Sequence, residues 1–136
     1  MSLAISTVLR LPFDEAVART RTALAEEGFG ILTEINVTET LKTKLDVDME
    51  NYLILGACNP PLAHRALGVN RQIGLLLPCN VVVRTDPTDP SNSIVEAMNP
   101  DLMVEVSGEA ELASVAQDAS AKLRAAIAAL EGTASS

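Results

Sequence analysis

Leu112, Val115, Ala116, Ala119, Leu123, Ala126, Ile127 and Leu130 recur at steps of three and four residues. That spacing puts them on one side of a long helix, predicted over Glu109 to Leu130, while Glu111, Gln117, Asp118, Lys122 and Arg124 solvate the other side. A single apolar stripe of this length has to be buried against a second layer, and the strand-like segments ahead of it supply one. Only 2% of the chain is aromatic, namely Phe13, Phe29 and Tyr52. The core is therefore expected to be aliphatic, and the base-stacking platforms of a single-strand binder are missing.

Leu3 to Leu11 mixes Ile, Val and Leu with polar residues, as a strand with one solvated face does. Phe13, Ala16, Val17, Thr20, Ala23 and Leu24 then follow helical spacing, with Asp14 and Glu15 at the positive end of the dipole and Gly28 as a left-handed stop. Phe29, Ile31, Thr33, Ile35 and Val37 alternate with Gly30, Leu32, Glu34 and Asn36, the period of a strand. Thr38 is expected to cap a short helix carrying Leu41 and Leu45. Tyr52 to Ala57 reads as a central strand, and Asn59-Pro60 as the start of a short helix that Gly68 stops. Ile73 to Thr85 reads as a strand interrupted at Pro78. A turn over Asp86 to Asn92 joins it to a second arm, Ser93 to Ala97, which ends at Pro100. Gly132 is expected to close the last helix. The fold class implied is α+β: one domain over residues 1–132 with helices on one face of a mainly antiparallel sheet, and a flexible tail over 133–136.

The chain of 136 residues carries a formal net charge of −8, which opposes binding to nucleic acid or to anionic membranes. Residues 1–11 contain one arginine and no apolar stretch that ends at a small-residue cleavage site, so a cytoplasmic location is expected. The apolar run from Ile73 to Val83 is about half a membrane span and holds Pro78 and Asn80. In a reducing compartment Cys58 and Cys79 are expected to rest as thiols.

The feature with chemical content is an echo. Leu53-Ile54-Leu55-Gly56-Ala57-Cys58-Asn59 and Leu75-Leu76-Leu77-Pro78-Cys79-Asn80 both run from an apolar strand into Cys-Asn beside a proline. Cys58 stands just before the cap Asn59, where the first N–H groups of the following helix would favour its thiolate. His64, the one histidine, lies on that same short helix and could pair with the thiol. Cys58, His64 and Cys79 could also share a soft metal, but zinc-type paired close cysteines are absent, so neither a resident metal nor another cofactor is expected. Glu34 has no second carboxylate at an acid–base spacing. Gly28-Phe29-Gly30 lacks the third glycine and the strand-to-helix order of a dinucleotide loop. Met98 and Met103 read as fillers of core gaps.

Gly28 to Ile35, Leu55 to Pro60 and Leu76 to Val83 together resemble the three signature blocks of domain of unknown function family 302 (DUF 302). The resemblance implies a small α+β fold like half of the TATA-binding protein, β-α-β4-α with two main helices on a curved antiparallel sheet, and often a homodimer. The run from Gly74 to Val83, with few edge-blocking charges, is expected to offer that dimer an edge. The resemblance supplies no activity. Its pattern matches Gly56, Cys58, Asn59, Pro60, Pro78, Cys79 and Asn80.

Three functions fit these residues. A ligand-binding or interaction module would use an apolar groove with Cys58, Asn59, Cys79 and Asn80 at its rim and His64 and Glu34 nearby. A thiol-dependent redox or sulfur-handling protein would use Cys58 as nucleophile and Cys79 as resolving thiol. In a structural role, Pro and Asn beside each cysteine would only shape the sheet.

Overall fold

The computed structural model of the protein describes residues 2–134. Five strands, β1 (Ala4–Leu9), β2 (Gly30–Asn36), β3 (Tyr52–Cys58), β4 (Cys79–Thr85) and β5 (Ser93–Met98), form one sheet in the order β1-β5-β4-β3-β2. Every pairing is antiparallel. Helix α1 (Phe13–Glu26) and helix α5 (Ala113–Ala134) pack over one face. Shorter helices α2 (Val37–Leu45), α3 (Pro60–Val69) and α4 (Asp101–Ser107) sit in the connections. The expected α+β architecture, with two main helices on one side of an antiparallel sheet, is the one found.

The apolar residues divide into two clusters. The larger joins Leu53, Leu55 and Ala57 of β3, Val81 and Val83 of β4 and Val95 of β5 to Ala16, Ala23 and Leu24 of α1 and Leu123, Ala126, Ile127 and Leu130 of α5. The smaller joins Leu62 and Ala66 of α3, Ile73, Met103 of α4, and Leu112, Val115, Ala116 and Ala119. The stripe predicted from sequence is thus one helix face serving two cores in succession. A 3₁₀ turn over Ala110–Leu112 precedes α5, which runs through Gly132 to Ala134. Gly132 therefore does not close it, and of the expected tail only Ser135 and Ser136 lie outside the described residues.

Several local expectations are corrected. Residues 73–78 are not strand: Arg71–Leu76 form a 3₁₀ turn, capped where Gln72 N–H donates to Asn70 Oδ1 at 2.9 Å, and β4 begins only at Cys79. Pro78, whose peptide bond with Leu77 is cis, has no N–H for the ladder, and Ile73 satisfies its apolarity in the smaller cluster instead. β4 is consequently central, so the run from Gly74 to Val83 offers no sheet edge; the edges are β1 and β2. Asn36 rather than Thr38 caps α2, accepting from Glu39 N–H at 3.0 Å. Thr38 Oγ1 instead accepts from Tyr52 N–H and donates to the Glu50 carbonyl. α3 carries on through Gly68 to Val69.

The alternation in β2 breaks at a bulge. Ile31 pairs with Ala57 but Thr33 pairs with Gly56, leaving Leu32 as an extra residue, 67% exposed. One extra residue flips every later side chain to the other face. Ile35 therefore turns away from the helices, and Glu34 comes onto the helix side, where it pairs with Arg21 of α1. The sequence pattern had placed Ile31 and Ile35 together and Glu34 opposite them.

Leu123, fully buried in the larger cluster, tests this packing. Leu123→Ala is expected to lower unfolding stability by about 2 to 5 kcal/mol in urea titrations. A loss below about half a kcal/mol would contradict the burial of that face.

Candidate functional site

β3 delivers Cys58 at its C-terminal end, and β4 begins one strand over with Cys79. In the ladder Cys79 stands opposite Ala57. A regular pleat would send Ala57 and Cys58 to opposite faces. Here both line the same small cavity as Cys79, at the point where the chain leaves β3 for α3. Phe29, Leu62, Ala66, Leu77, Met103, Val115 and Ala119 complete most of its wall. The cavity thus lies on the seam between the two apolar clusters. Its volume is about 20 Å³, space for about one water-sized molecule.

The two thiols differ. Cys58 is half-buried and Cys79 is buried. Burial, and to a lesser degree the neighbouring Cys58, pushes the Cys79 thiol up from about 9 to about 11, because a thiolate is poorly solvated in apolar surroundings.

Asn59 holds the mouth. Its Oδ1 accepts from Leu62 N–H at 3.4 Å, capping α3, and its Nδ2 donates to the Glu27 carbonyl at 3.3 Å. This second bond ties α3 to the end of α1, and it explains Gly28. That residue has φ +85°, and a Cβ there would meet Asn59 Nδ2 at 3.1 Å, so both backbone conformation and space call for glycine. Pro60 and Pro61 lack N–H groups, and Leu62 N–H is taken by the cap. The first turn of α3 therefore has no hydrogen-bond donor to offer a sulfur at Cys58 before Ala63, whose N–H goes to the Asn59 carbonyl. The expected thiolate-stabilising N–H groups are not there; Pro60-Pro61 signalled as much in the sequence.

Gly56 is constrained from the other side of the sheet. A Cβ there would collide with Thr33 Oγ1 and come within 2.9 Å of Pro78 Cγ. Thr33, Gly56 and Pro78 thereby lock β2, β3 and the start of β4 together behind the two cysteines.

The model of the domain of unknown function DUF302 matches residues 5–130. The chain belongs to this DUF302 family. It is similar to a solved structure, the uncharacterized conserved protein DUF302 from Bacillus stearothermophilus, with 28% identity and a TM-score of 0.85 over 94% of this chain and 98% of that one. No curated protein matches.

Of the residues singled out in this DUF302 chain by sequence, Cys58, Asn59 and Cys79 come together at the cavity. His64 is exposed on α3, and Asn80 is exposed on β4, one residue out of phase with Cys79 and so on the face away from the helices. Glu34 is on the sheet edge in its ion pair with Arg21. None of these three lines the cavity. Met103 does, although its sequence context read as gap filling. It arrives there on α4, a helix the sequence reading passed over. The available signal was Asn99-Pro100, which repeats the Asn59-Pro60 start of α3; Asn99 Oδ1 accepts from Asp101 N–H at 3.1 Å.

The raised Cys79 value has a sign in stability. Between about pH 9 and pH 11 the unfolded chain loses this proton while the folded chain keeps it, so unfolding stability falls as pH rises through that window. Cys79→Ala is expected to flatten the fall by an amount on the order of 2 kcal/mol, measured as urea midpoints at pH 8.5 and 11. An unchanged slope in the variant would show that Cys79 ionises in the folded chain as freely as in the unfolded one.

Proposed function

We propose that this DUF302 protein is a thiol-dependent redox or sulfur-handling protein, with Cys58 as the attacking thiol and Cys79 as the resolving one. The observation that carries this reading is that both cysteines line one apolar cavity of about 20 Å³. Sites for drug-sized organic ligands run to roughly 300–1,000 Å³. A space this small suits chemistry on single atoms at sulfur and favours the thiol reading over a groove that holds an organic ligand. Position supports the division of labour: Cys58 is the more accessible thiol and Cys79 the sheltered one.

The ladder supports bridging. Cys58 is one residue beyond Ala57, the partner of Cys79, so strand spacing and rise put the two α-carbons about 6 Å apart, within the roughly 7 Å that a disulfide spans. With a small external disulfide as oxidant, the Cys58 thiolate attacks one of its sulfurs and releases the first thiolate. Cys79 gives its proton to solvent and attacks Cys58 Sγ, releasing the second. Two protein thiols are oxidised, and the external disulfide is reduced to two thiols. At neutral pH Cys58 is expected to alkylate at least about tenfold faster than Cys79. Oxidised glutathione is expected to convert the chain to a form lighter by two hydrogens, and the Cys79→Ala variant to stop at the mixed disulfide. Equal, slow alkylation with no such mass change would reject the reading.

A second reading concerns assembly and rests on the uncovered face of the sheet. The register lines up Ile35, Ile54 and Val82 across β2, β3 and β4, with Val8 opposite Ile94 on β1 and β5. Val8 and Ile35 are 53% and 51% exposed; the Arg84–Glu96 ion pair stands between the two apolar groups, and exposed apolar side chains gathered on one face in this way mark an interaction site. We infer a homodimer that covers this face. Sedimentation at micromolar concentration is expected to give twice the 14.3 kDa chain mass, and Val82→Glu to return the single-chain mass. A wild-type chain sedimenting at the single mass would refute it.

A further inference from the structure

We propose that the cavity is a site for one soft monovalent cation, copper(I), held by the sulfurs of Cys58, Cys79 and Met103. The inference rests on reading this cavity as the thiol site, and it adds a ligand that thiol–disulfide exchange does not require.

The lining selects the metal. Cys58, Cys79 and Met103 border the same space: two thiols and a thioether from three different elements, β3, β4 and α4. Asn59, the other polar side chain in the wall, already uses Oδ1 and Nδ2 on Leu62 and Glu27. Among the described residues no carboxylate or imidazole lines the cavity, and no three His, Cys, Asp or Glu side chains gather. Calcium and magnesium need oxygen ligands, and zinc needs four ligands of its own kind, so this donor set satisfies neither. Soft thiolate and thioether donors select copper(I). The space of about 20 Å³ is room enough for a single ion.

One copper(I) with two thiolates leaves a single net negative charge, and the two thiol protons go to solvent as the ion binds. Half-buried Cys58 stands nearer to solvent, and Met103 contributes a neutral third sulfur from a residue that is 3% exposed. Its position is set by Asn99, which anchors the start of α4 by accepting from Asp101 N–H and donating to the Ser2 carbonyl at 2.9 Å.

The test is an anaerobic titration of the reduced full chain with copper(I) held by the coloured chelator bicinchoninate. One copper per chain is expected to leave the chelator. Cys58→Ser and Cys79→Ala should each abolish this transfer. Met103→Leu keeps the side-chain volume and so the fold. It is expected to weaken copper binding at least about tenfold, a loss that changes just beyond metal ligands already cause, while the far-ultraviolet circular dichroism spectrum stays that of the wild type. Copper remaining with the chelator, or unchanged affinity in Met103→Leu, overturns the site as drawn. If copper stays with the chelator while the glutathione disulfide still forms, the thiol reading stands and the copper site falls. Copper transfer that depends on Met103 in a chain forming no disulfide retains the site and removes the exchange chemistry.

Discussion

One apolar stripe on α5 carries both halves of the molecule. Its first turns, Val115, Ala116 and Ala119, complete the cluster built by α3 and α4, and its later turns, Leu123, Ala126, Ile127 and Leu130, complete the core over the sheet. Because these side chains share one rigid helix, the spacing between the two clusters is set by helical rise and not by loop length. The cavity opens where the stripe passes from one cluster to the other, with Val115 and Ala119 in its wall. Small residues at that crossing leave the space that a leucine would fill.

The thiols reach this crossing because of turn chemistry at the ends of strands. Asn59 ends β3, starts α3 and holds the corner after α1, three tasks that use both ends of one amide. Gly56, pinned under Thr33 and Pro78, lets β2, β3 and the entry to β4 approach closely just before the cysteines. The surroundings of the two sulfurs are thus built from backbone constraints and aliphatic packing. Charged groups sit elsewhere, for example Arg84 with Glu96 at 2.7 Å on the sheet's uncovered face.

Much of the architecture was legible because it depends on periodicity. The α1 and α5 stripes, the compact apolar run of β3 and the Asn-Pro start of α3 all report local physics that tertiary structure did not override. What periodicity could not report were interruptions. Leu32 adds one residue to β2 and reverses the faces of Glu34 and Ile35, although nothing in its side chain announces a bulge. Ile73, Leu76 and Leu77 are apolar enough for a strand, yet they pack on α3 and α4, because a cluster absent from any sequence window competes for them. At the site, the repeated Cys-Asn blocks pointed to the two sulfurs, but the alternation after Pro78 sends Asn80 to the far face. Met103 was hidden because sulfur from a methionine looks the same in sequence whether it packs or faces a cavity.

The bulge in β2 also governs how the chain meets its neighbours in a crowded solution. β2 is an edge, and an edge strand presents backbone donors and acceptors that could recruit another strand. With Leu32 inserted between paired positions, the row of donors and acceptors is out of step halfway along, and Glu34 adds a charge beside the break. An incoming strand in regular register could match only one half of the edge at a time. The extra residue that misaligns the pattern in sequence thereby guards this side of the sheet against open-ended strand addition.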